Sequence, residues 1–440
     1  MPDSSQSPWK LPGDLEEKVE ARFPQRKLPE PEHSPEPQPP LNAQEVEWKD
    51  LVNTLRRHRR RLLSFPGVTA VDIGYWLDDH HEFSNELALR VHVERKLHPS
   101  CFKKRPYDRL PQTIESPMKR PIRVNVIEAK YRLVSSMGLP RPRSVFQTPV
   151  PLNEVNRRRR LDPLVGGISI GSPQAPIGTL GALVWDNTDG SICILSNWHV
   201  LAGDFNAEVG NPCFQPGRFD HGRSSDVVAR LKRWSLNRQT DAAIAELTGS
   251  RHYCAGEIVS LFQQISGVQE PHLGMKLLKS GRSTGYSWGF IDGLYFSAAI
   301  QYSNGSVRVF EEQIHIAPLN QDRPISEPGD SGSVWVTETN GEGYRAVGLH
   351  FAGDLPDSAF GEFALANPMT VVAERLNFSF RPVFLEIRDE DVVLLPGTPG
   401  IQIGNGKGKG VGQPVIFSGE FDGTGGQQGD PIPIPPGGRI

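Results

Sequence analysis

The sequence predicts a mainly β protein in which a small α/β module precedes a larger β domain. Between residues 165 and 395, short apolar runs are separated by pairs of Gly, Asn and Asp, and helical periodicity is nearly absent until Met369–Leu376. Many short strands with frequent turns are typical of an antiparallel barrel or sandwich. Upstream, one helical stripe and at least three strand-like runs predict the α/β module over 41–135.

Each element of the module has its own pattern. Ala43–Leu63 carries its apolar residues on one stripe of a helix, and the Pro-Gly pair at 66–67 ends it. Val68–Tyr75 follows as a strand. In Glu86–Glu94 the apolar residues occupy every second position, which predicts a half-buried strand, and Ile122–Ile127 repeats this alternation.

Composition sets the predicted boundaries. Residues 1–40 are rich in Pro, Glu, Ser and Gln, and 396–440 are dominated by Gly and Pro, so both ends are predicted to be disordered. Several prolines and the run Arg157–Arg160 make 136–164 a predicted linker. The remaining stretch, 165–395, is the predicted β domain.

The overall composition argues against several classes of function. A net charge of -3 does not fit a globally basic nucleic-acid binder, and no apolar run approaches the ~20 residues of a membrane span. The first ten residues lack the apolar core of a secretion signal. The four cysteines are widely spaced without a CxxC pair. We therefore expect a cytoplasmic protein with free thiols, no metal and no cofactor.

The stretch EPGDSGSVW, residues 327–335, places Ser331 between two glycines. Turns are rich in Gly, Asp and Ser for conformational reasons alone, so Ser331 is either a nucleophile or only a hydroxyl in a tight turn. A nucleophilic serine requires a base that takes its proton and donors that receive the oxyanion. Its assignment therefore depends on a histidine and a carboxylate elsewhere in the chain.

His199 and Asp241 are the candidates for those two groups. His199 follows the buried strand pattern at 192–196, which would hold it firmly while aiming it out of the strand end; the alternative is a satisfied core histidine. Asp241 opens an otherwise apolar strand, where a carboxylate is poorly solvated and needs a partner. Asp220 and Asp226 compete with it, but both lie in polar stretches typical of solvated loops.

The chain order His199, Asp241, Ser331 and the segments around these residues resemble the chymotrypsin and trypsin-like serine proteases. Five segments in order carry the resemblance: ILSNWHVLAG, TDAAIAEL, SGRSTGYSWG, PGDSGSVW and VGLHFAG. The resemblance implies two six-stranded antiparallel barrels with the site in the cleft between them. Upstream, ELALRVHVERKL and IRVNVIE are similar to segments of the intracellular plant narrow-leaf protein family and its bacterial relatives.

The resemblance implies a serine endopeptidase and a role for each residue. Ser331 would attack the scissile carbonyl and form a covalent acyl-enzyme, with His199 as base and then acid and Asp241 as its orienter. The N–H groups of Gly329 and Ser331 would form the oxyanion hole, and a glycine suits that place because it lacks a Cβ. Val200 stands where secreted relatives carry a cysteine, which agrees with an intracellular enzyme.

By the same resemblance, Ser326, His350, Phe351 and Gly353 would bind a protein or peptide substrate. Ser326 and His350 would hydrogen-bond an acidic or amide P1 side chain. A P1 lysine or arginine would lack a counter-charge, because Ile325 lies at the pocket-floor position. The alternative for His350 is a structural histidine bonded to a neighbouring strand.

Further alternatives stay open. Leu164–Gly167 resembles the activation terminus of a zymogen, whose freed amine would pair with Asp330, although Pro163 rather than arginine precedes it. A catalytically silent scaffold would keep the barrels without hydrolysis. The arginine runs 56–61 and 157–160 would suit phosphates or acidic partners, but the first lies on a helix with an apolar opposite face, which is typical of a solvated surface. A homo-oligomer is also left open.

Overall fold

The structure, a computed structural model, describes residues 41–382 except for 79, 81, 98–108, 134–155, 176, 262, 303–304, 320–323, 340–342 and 355–362. The described residues all lie in one compact unit within Met1–Phe384. The predicted disordered ends, 1–40 and 396–440, lie outside the described residues, and so does most of the predicted linker.

The described residues are mainly β, as predicted. The helices are α1 (Leu41–Leu63), α2 (Trp198–Leu201) and α3 (Met369–Leu376). The first strands are β1 (Val68–Leu77), β2 (Phe83–Val93), β3 (Thr113–Glu115), β4 (Pro121–Glu128), β5 (Tyr131–Leu133), β6 (Leu164–Gly166), β7 (Ile168–Ile170), β8 (Gly178–Leu180), β9 (Ala182–Asp186), β10 (Ile192–Ser196) and β11 (Pro212–Phe214). The later strands are β12 (Val227–Leu236), β13 (Asp241–Leu247), β14 (Tyr253–Ile258), β15 (Ile265–Val268), β16 (Lys276–Gly281), β17 (Gly285–Gln301), β18 (Val307–Pro318), β19 (Val334–Thr339), β20 (Gly343–Asp354), β21 (Ala364–Pro368) and β22 (Phe378–Ser379). Within the part of the chain that the structure describes, no helix has both the length and the apolar content needed to cross a membrane.

The later strands close into one barrel, the C-terminal barrel. Its order is β16-β19-β20-β21-β18-β17, and β17 pairs back onto β16, so the ring of strands is complete. Every pairing in this ring is antiparallel. Leu277, Ile316 and Trp335 are fully buried in its core, which holds the ring of strands together.

The earlier strands form a second ring, the N-terminal barrel. Its sheet runs β11-β12-β13-β10-β9. β8 continues the line of β9, because Gly181 between them donates to Leu195 O on β10 at 2.8 Å. β7 pairs with β8, and Gly171 beside β7 exchanges two hydrogen bonds with Phe214 on β11, at 2.8 and 3.1 Å. These two bonds close the ring.

The predicted helix and strands of the module are all present, and α1 packs on the sheet formed by β1, β2 and β4. Leu51, Leu55 and Leu62 are buried in the cluster between helix and sheet. The module shares its sheet with the C-terminal barrel, because β1 pairs antiparallel with β17 and Ala70 lies opposite Ala298. The sheet is therefore continuous across the two regions, while the division into separate domains stays a prediction.

The prediction of a half-buried β2 is wrong over its second half. Every residue from Ala88 to Val93 is buried, including Arg90 and His92, both 0% exposed. The alternation identified one apolar face correctly, but the other face packs against the C-terminal barrel. There Arg90 Nη1 donates to Asp292 Oδ2 at 2.6 Å, so the charged side chain has a partner and no need of water.

The cysteines of the described residues have free thiols: Cys193, Cys213 and Cys254. Burial raises the pKa of the Cys193 thiol to about 11 and that of Cys213 to about 12. Both thiols are therefore protonated at neutral pH, which makes them poor nucleophiles.

Candidate active site

The fold brings His199 and Asp241 together at one end of the N-terminal barrel. β10 and β13 are antiparallel neighbours, so the end of β10, which leads into His199, lies beside the start of β13, which is Asp241. His199 Nδ1 is 2.7 Å from Asp241 Oδ2, and the His199 backbone N–H donates to Asp241 Oδ1 at 3.1 Å. This pair holds the imidazole with Nδ1 on the Asp241 carboxylate and Nε2 on the opposite side of the ring.

Three further side chains fix Asp241. Asn197 Nδ2 donates to its backbone carbonyl at 2.7 Å, and Asn367 Oδ1 accepts its backbone N–H at 3.0 Å. The Tyr302 hydroxyl donates to Asp241 Oδ2. Burial acts to raise the pKa of this carboxyl, but the charge and hydrogen bonds of His199 and the Tyr302 bond outweigh it, and the pKa is lowered. Asp241 is therefore an anion that orients the imidazole.

The turn that carries Ser331 packs against the strand end that leads to His199. Ser331 O accepts the Thr179 N–H at 2.8 Å. Gly332 has a φ of +94°, and a Cβ added there would lie 2.0 Å from Ser196 Oγ, so the close approach requires glycine. Ser196 is the last residue of β10, three positions before His199.

The Ser331 hydroxyl does not bond to His199 in this structure. It donates to Phe351 O on β20, at 3.3 Å. His199 Nε2 is buried and has no hydrogen-bond partner among the described residues. Of the three predicted catalytic residues, His199 and Asp241 are thus bonded to each other, and Ser331 lies in a turn that contacts the end of β10. Their catalytic role stays a prediction.

The backbone N–H groups of Gly329 and Ser331 are also unused, since neither donates to another group of the described residues. Gly329 has a φ of +104°, and a Cβ there would lie 2.7 Å from Ser283 Oγ. Ser283 Oγ donates to Pro328 O at 2.6 Å. Because a trans peptide points its N–H opposite to its C=O, this bond fixes the direction of the Gly329 N–H. The arrangement suits two donors for one anionic oxygen.

Asp330, between these two donors, already has a resident cation. Lys279 Nζ lies 3.2 Å from Asp330 Oδ2, and both side chains are fully buried. Leu164, the first residue of the suggested activation terminus, lies within the chain in β6 and donates its N–H to His252 O at 2.8 Å. Asp330 is thus paired with Lys279, and the Leu164 nitrogen that would pair with it after activation is a backbone amide bonded to His252.

The predicted substrate-binding residues surround the same turn. Ser326 Oγ and His350 Nε2 are 3.1 Å apart, and a Cβ on Gly353 would lie 2.3 Å from Ser326 Oγ. Phe351 supplies the carbonyl that holds the Ser331 hydroxyl. Burial first, and then the charge of Lys279, lowers the pKa of His350 to about 3, so its imidazole is neutral at neutral pH.

The sequence reasoning missed Tyr302, Asn367 and Ser283. Tyr302 and Asn367 are common polar residues in segments without a recognised pattern, and Ser283 lies in the segment SGRSTGYSWG, whose resemblance gave this serine no role. The two competing carboxylates are paired with arginines. Asp220 accepts from Arg282 Nε at 2.8 Å, and Asp226 accepts from Arg251 Nη2 at 3.0 Å.

No protein-family model matches the chain, and no curated protein matches it. Among solved structures, the chain is similar to a Nocardiopsis protease, with 16% identity over 49% of this chain and 97% of that one and a TM-score of 0.35. It is also similar to a Cellulomonas bogoriensis chymotrypsin, with 16% identity over 50% of this chain and 98% of that one and a TM-score of 0.35. A third is the Rv3671c protease from M. tuberculosis in its active form, with 18% identity over 49% of this chain and 82% of that one and a TM-score of 0.30.

Proposed function

We propose that the protein is a serine endopeptidase that hydrolyses peptide bonds through Ser331, His199 and Asp241. The observation that carries this proposal is the set of unused groups at one place. His199 Nε2 and the N–H groups of Gly329 and Ser331 all lack partners among the described residues. Buried polar groups are normally paired, so unpaired groups in the turn of Ser331 and on a histidine close to that turn favour a bound reactant.

The proposed reaction uses each of these groups. The Ser331 hydroxyl turns from Phe351 O to His199 Nε2, which takes the proton as Oγ attacks the substrate carbonyl carbon. The carbonyl oxygen becomes an anion that receives hydrogen bonds from Gly329 and Ser331 N–H. His199 then gives the proton to the leaving amine, and water cleaves the acyl-enzyme by the same steps. Asp241 stays ionised and stabilises the imidazolium.

For the P1 side chain, the neutral state of His350 favours an amide over a carboxylate. A glutamine would exchange hydrogen bonds with Ser326 and a neutral imidazole, whereas a buried glutamate would need a positive charge. We expect kcat/KM near neutral pH to be higher for Gln than for Glu peptides, and lowest for Lys. Leu in place of His350 should lower the Gln rate much more than the rate for a P1 alanine. A preference for Lys or Arg would contradict this pocket while leaving the triad untouched.

Ser331→Ala tests the function itself. Turnover should fall by about six orders of magnitude, as in comparable triads, and a fluorophosphonate probe should label Ser331 in the wild type only. Ser297→Ala removes an equally buried serine hydroxyl from β17 and should keep both turnover and labelling. A wild type that neither hydrolyses peptides or esters nor reacts with the probe would instead support the silent-scaffold alternative.

A further inference from the structure

Tyr302 shares one carboxylate oxygen with the candidate base. Its hydroxyl donates to Asp241 Oδ2, the oxygen that His199 Nδ1 also contacts at 2.7 Å. Burial, and then the charge of Asp241, raises the pKa of the Tyr302 hydroxyl well above 10. The hydroxyl therefore keeps its proton and faces the carboxylate as a donor throughout the neutral range.

The ring of Tyr302 is held by packing that does not depend on this bond. It lies edge-to-face on the His199 ring with centroids 6.2 Å apart, and stacks beside Phe310 at 6.4 Å. The residue is 4% exposed. A phenylalanine would keep these contacts and lose only the donor.

We propose that Tyr302 is a positioning residue of the candidate active site, which holds the Asp241 carboxylate in the plane of the His199 imidazole. This inference rests on the proposed function. The donor stops the carboxylate from rotating about its side chain, and it withdraws negative charge from Oδ2. Without this donor, the carboxylate is less well aligned. It also carries more negative charge on Oδ2 and stabilises a protonated imidazole more strongly, so the imidazole loses its proton and becomes a base only at higher pH.

Tyr302→Phe tests the positioning role. With p-nitrophenyl acetate, kcat should fall about tenfold, the usual effect of one hydrogen bond to a charged group, while KM changes little. The acid limb of the pH profile of kcat/KM should move to higher pH. Tyr344→Phe, which alters another buried tyrosine at 1% exposure, should leave the acid limb in place. A purely structural role would lower the melting temperature of Tyr302→Phe without moving the limb, and that result would overturn the inference.

A second measurement separates this inference from the proposed function. In protein labelled with [13Cε1]histidine, the midpoint of the His199 titration should lie at higher pH in Tyr302→Phe than in the wild type. The His199 signal is assigned by its loss in His199→Ala. This shift is expected even if the protein hydrolyses nothing. An unchanged midpoint overturns the role of Tyr302 whatever the activity is.

A different observation concerns the edge of β20 beside Ser331. At Leu349 this edge pairs with β19, and at Ala352–Asp354 it pairs antiparallel with β5, while β21 lies on the opposite edge at both places. Between these pairings, Phe351 O accepts the Ser331 hydroxyl. β5 therefore occupies the stretch of backbone that leads directly to the candidate nucleophile.

β5 is anchored in this place by its side chains. The Tyr131 hydroxyl lies 2.8 Å from both His92 Nδ1 and His315 Nε2, and Leu133 is buried at 2% exposure. Asp354 Oδ1 accepts the Lys130 N–H at 3.0 Å. An extended peptide that aligned on this edge by strand addition would have to displace β5.

We infer that β5 is an autoinhibitory strand, which covers the edge on which a peptide substrate would align. This inference also rests on the proposed function. If the edge opens only in a fraction of the molecules, the apparent affinity for an extended peptide is reduced by that fraction. A small acylating or phosphonylating reagent needs no strand pairing and reacts with the closed form.

Arg132→Pro, which removes a donor from β5, tests this strand. The variant should cleave an extended peptide at least about tenfold faster, while fluorophosphonate labelling of Ser331 is unchanged. Thr113→Pro places a proline in β3, another three-residue strand, and should raise neither rate. If Arg132→Pro does not fold, Tyr131→Phe removes only the anchoring hydroxyl and should give a smaller increase. Equal peptide rates in a folded β5 variant and the wild type would contradict the inference.

A peptide-binding assay tests the role of β5 without a catalysed reaction. In a Ser331→Ala background, Arg132→Pro should tighten the binding of fluorescein-labelled Tyr-Arg-Leu-Gln amide, whose first three residues copy β5. The readout is fluorescence anisotropy. Unchanged affinity would show that β5 does not cover the peptide site, whether or not the wild type is an enzyme.

Discussion

The described residues contain two buried clusters of His, Asp and Tyr, and the clusters differ in which polar atoms are left unpaired. At the candidate site, Asp241 receives bonds from His199 and Tyr302, but His199 Nε2 has no partner among the described residues. In the second cluster, His92 Nε2 is 3.2 Å from Asp72 Oδ1, and its other ring nitrogen meets the Tyr131 hydroxyl. In the first cluster one histidine nitrogen has no partner among the described residues, whereas in the second cluster both nitrogens of His92 are paired.

The second cluster, which we call the Arg90 ring, consists of six buried side chains: Asp72, Arg90, Asp292, His315, Tyr131 and His92. The Tyr131 hydroxyl has one proton but lies between two imidazole nitrogens. Both imidazoles also contact a carboxylate with their other nitrogen. All these contacts are hydrogen bonds only if one imidazole carries two protons. The Arg90 guanidinium bonds to both carboxylates of the ring, Asp72 and Asp292.

The comparison shows that the same residue types either form a fully bonded cluster or leave one ring nitrogen without a partner among the described residues. A fully bonded network in a low-dielectric interior is rigid and has no group left for a ligand. A buried network that leaves a ring nitrogen unpaired is stable only because the fold enforces it. The Arg90 ring joins the module to the C-terminal barrel, whereas the candidate site keeps His199 Nε2 without a partner among the described residues.

Substitution of His199 and of His92 by alanine should give the largest difference between the two clusters. His199→Ala should lower turnover by about six orders of magnitude, with a much smaller effect on unfolding. His92→Ala should instead lower the free energy of unfolding by about 3 kcal/mol, because it leaves a cavity and unpaired partners. Ester turnover and urea denaturation of both variants provide the measurements. Loss of ester turnover in a folded His92→Ala protein would mean that the two clusters are not separate in function.

Removal of the buried cation should have the next largest effect. Arg90→Met leaves Asp72 and Asp292 without their counter-charge and should cost about 3–5 kcal/mol of stability. Adding Asp72→Asn and Asp292→Asn to this variant should restore part of the loss, because the unpaired charges are then gone. Chemical denaturation measures both. If the triple variant is less stable than Arg90→Met, charge balance is not what holds the ring together.

The smallest effect concerns pH. Burial lowers the pKa of His92 to about 4, although Asp72 opposes the shift, while an unfolded chain keeps a histidine near 6.5. The unfolded state therefore binds more protons between these values, and stability should fall as the pH drops from about 6.5 to about 4. The groups facing His92 are Asp72, Arg90, Tyr131 and His315.

His92→Gln checks this linkage. The slope of the unfolding free energy against pH in that window should decrease by about 1.4 kcal/mol per pH unit, which corresponds to one proton. The pKa of His350 is lowered to about 3, so part of the slope should persist in the variant. An identical slope in wild type and variant would show that His92 is not neutral in the folded protein.

The three members of the candidate triad could be proposed from the sequence because each stands beside a strong local pattern. His199 follows the buried strand β10, Asp241 opens β13, and Ser331 lies between glycines that only a tight turn explains. Tyr302 could not be found in this way, since a tyrosine after a strand has many ordinary roles. Its partner is 61 positions away in the chain.

The features that can be predicted from the sequence are local: the helix of the module, the alternating strands, and the turn that presents Ser331. These depend on φ, on side-chain period and on turn chemistry, which neighbouring residues decide. The tertiary structure decided what covers each face and edge. Alternation in β2 marked Arg90 and His92 as polar, but only the opposing β17 and β18 made that face an interior. Likewise, only strand pairing across more than 200 residues places β5 on the edge of β20 next to Phe351, whose carbonyl accepts the Ser331 hydroxyl, because backbone hydrogen bonds carry no sequence label.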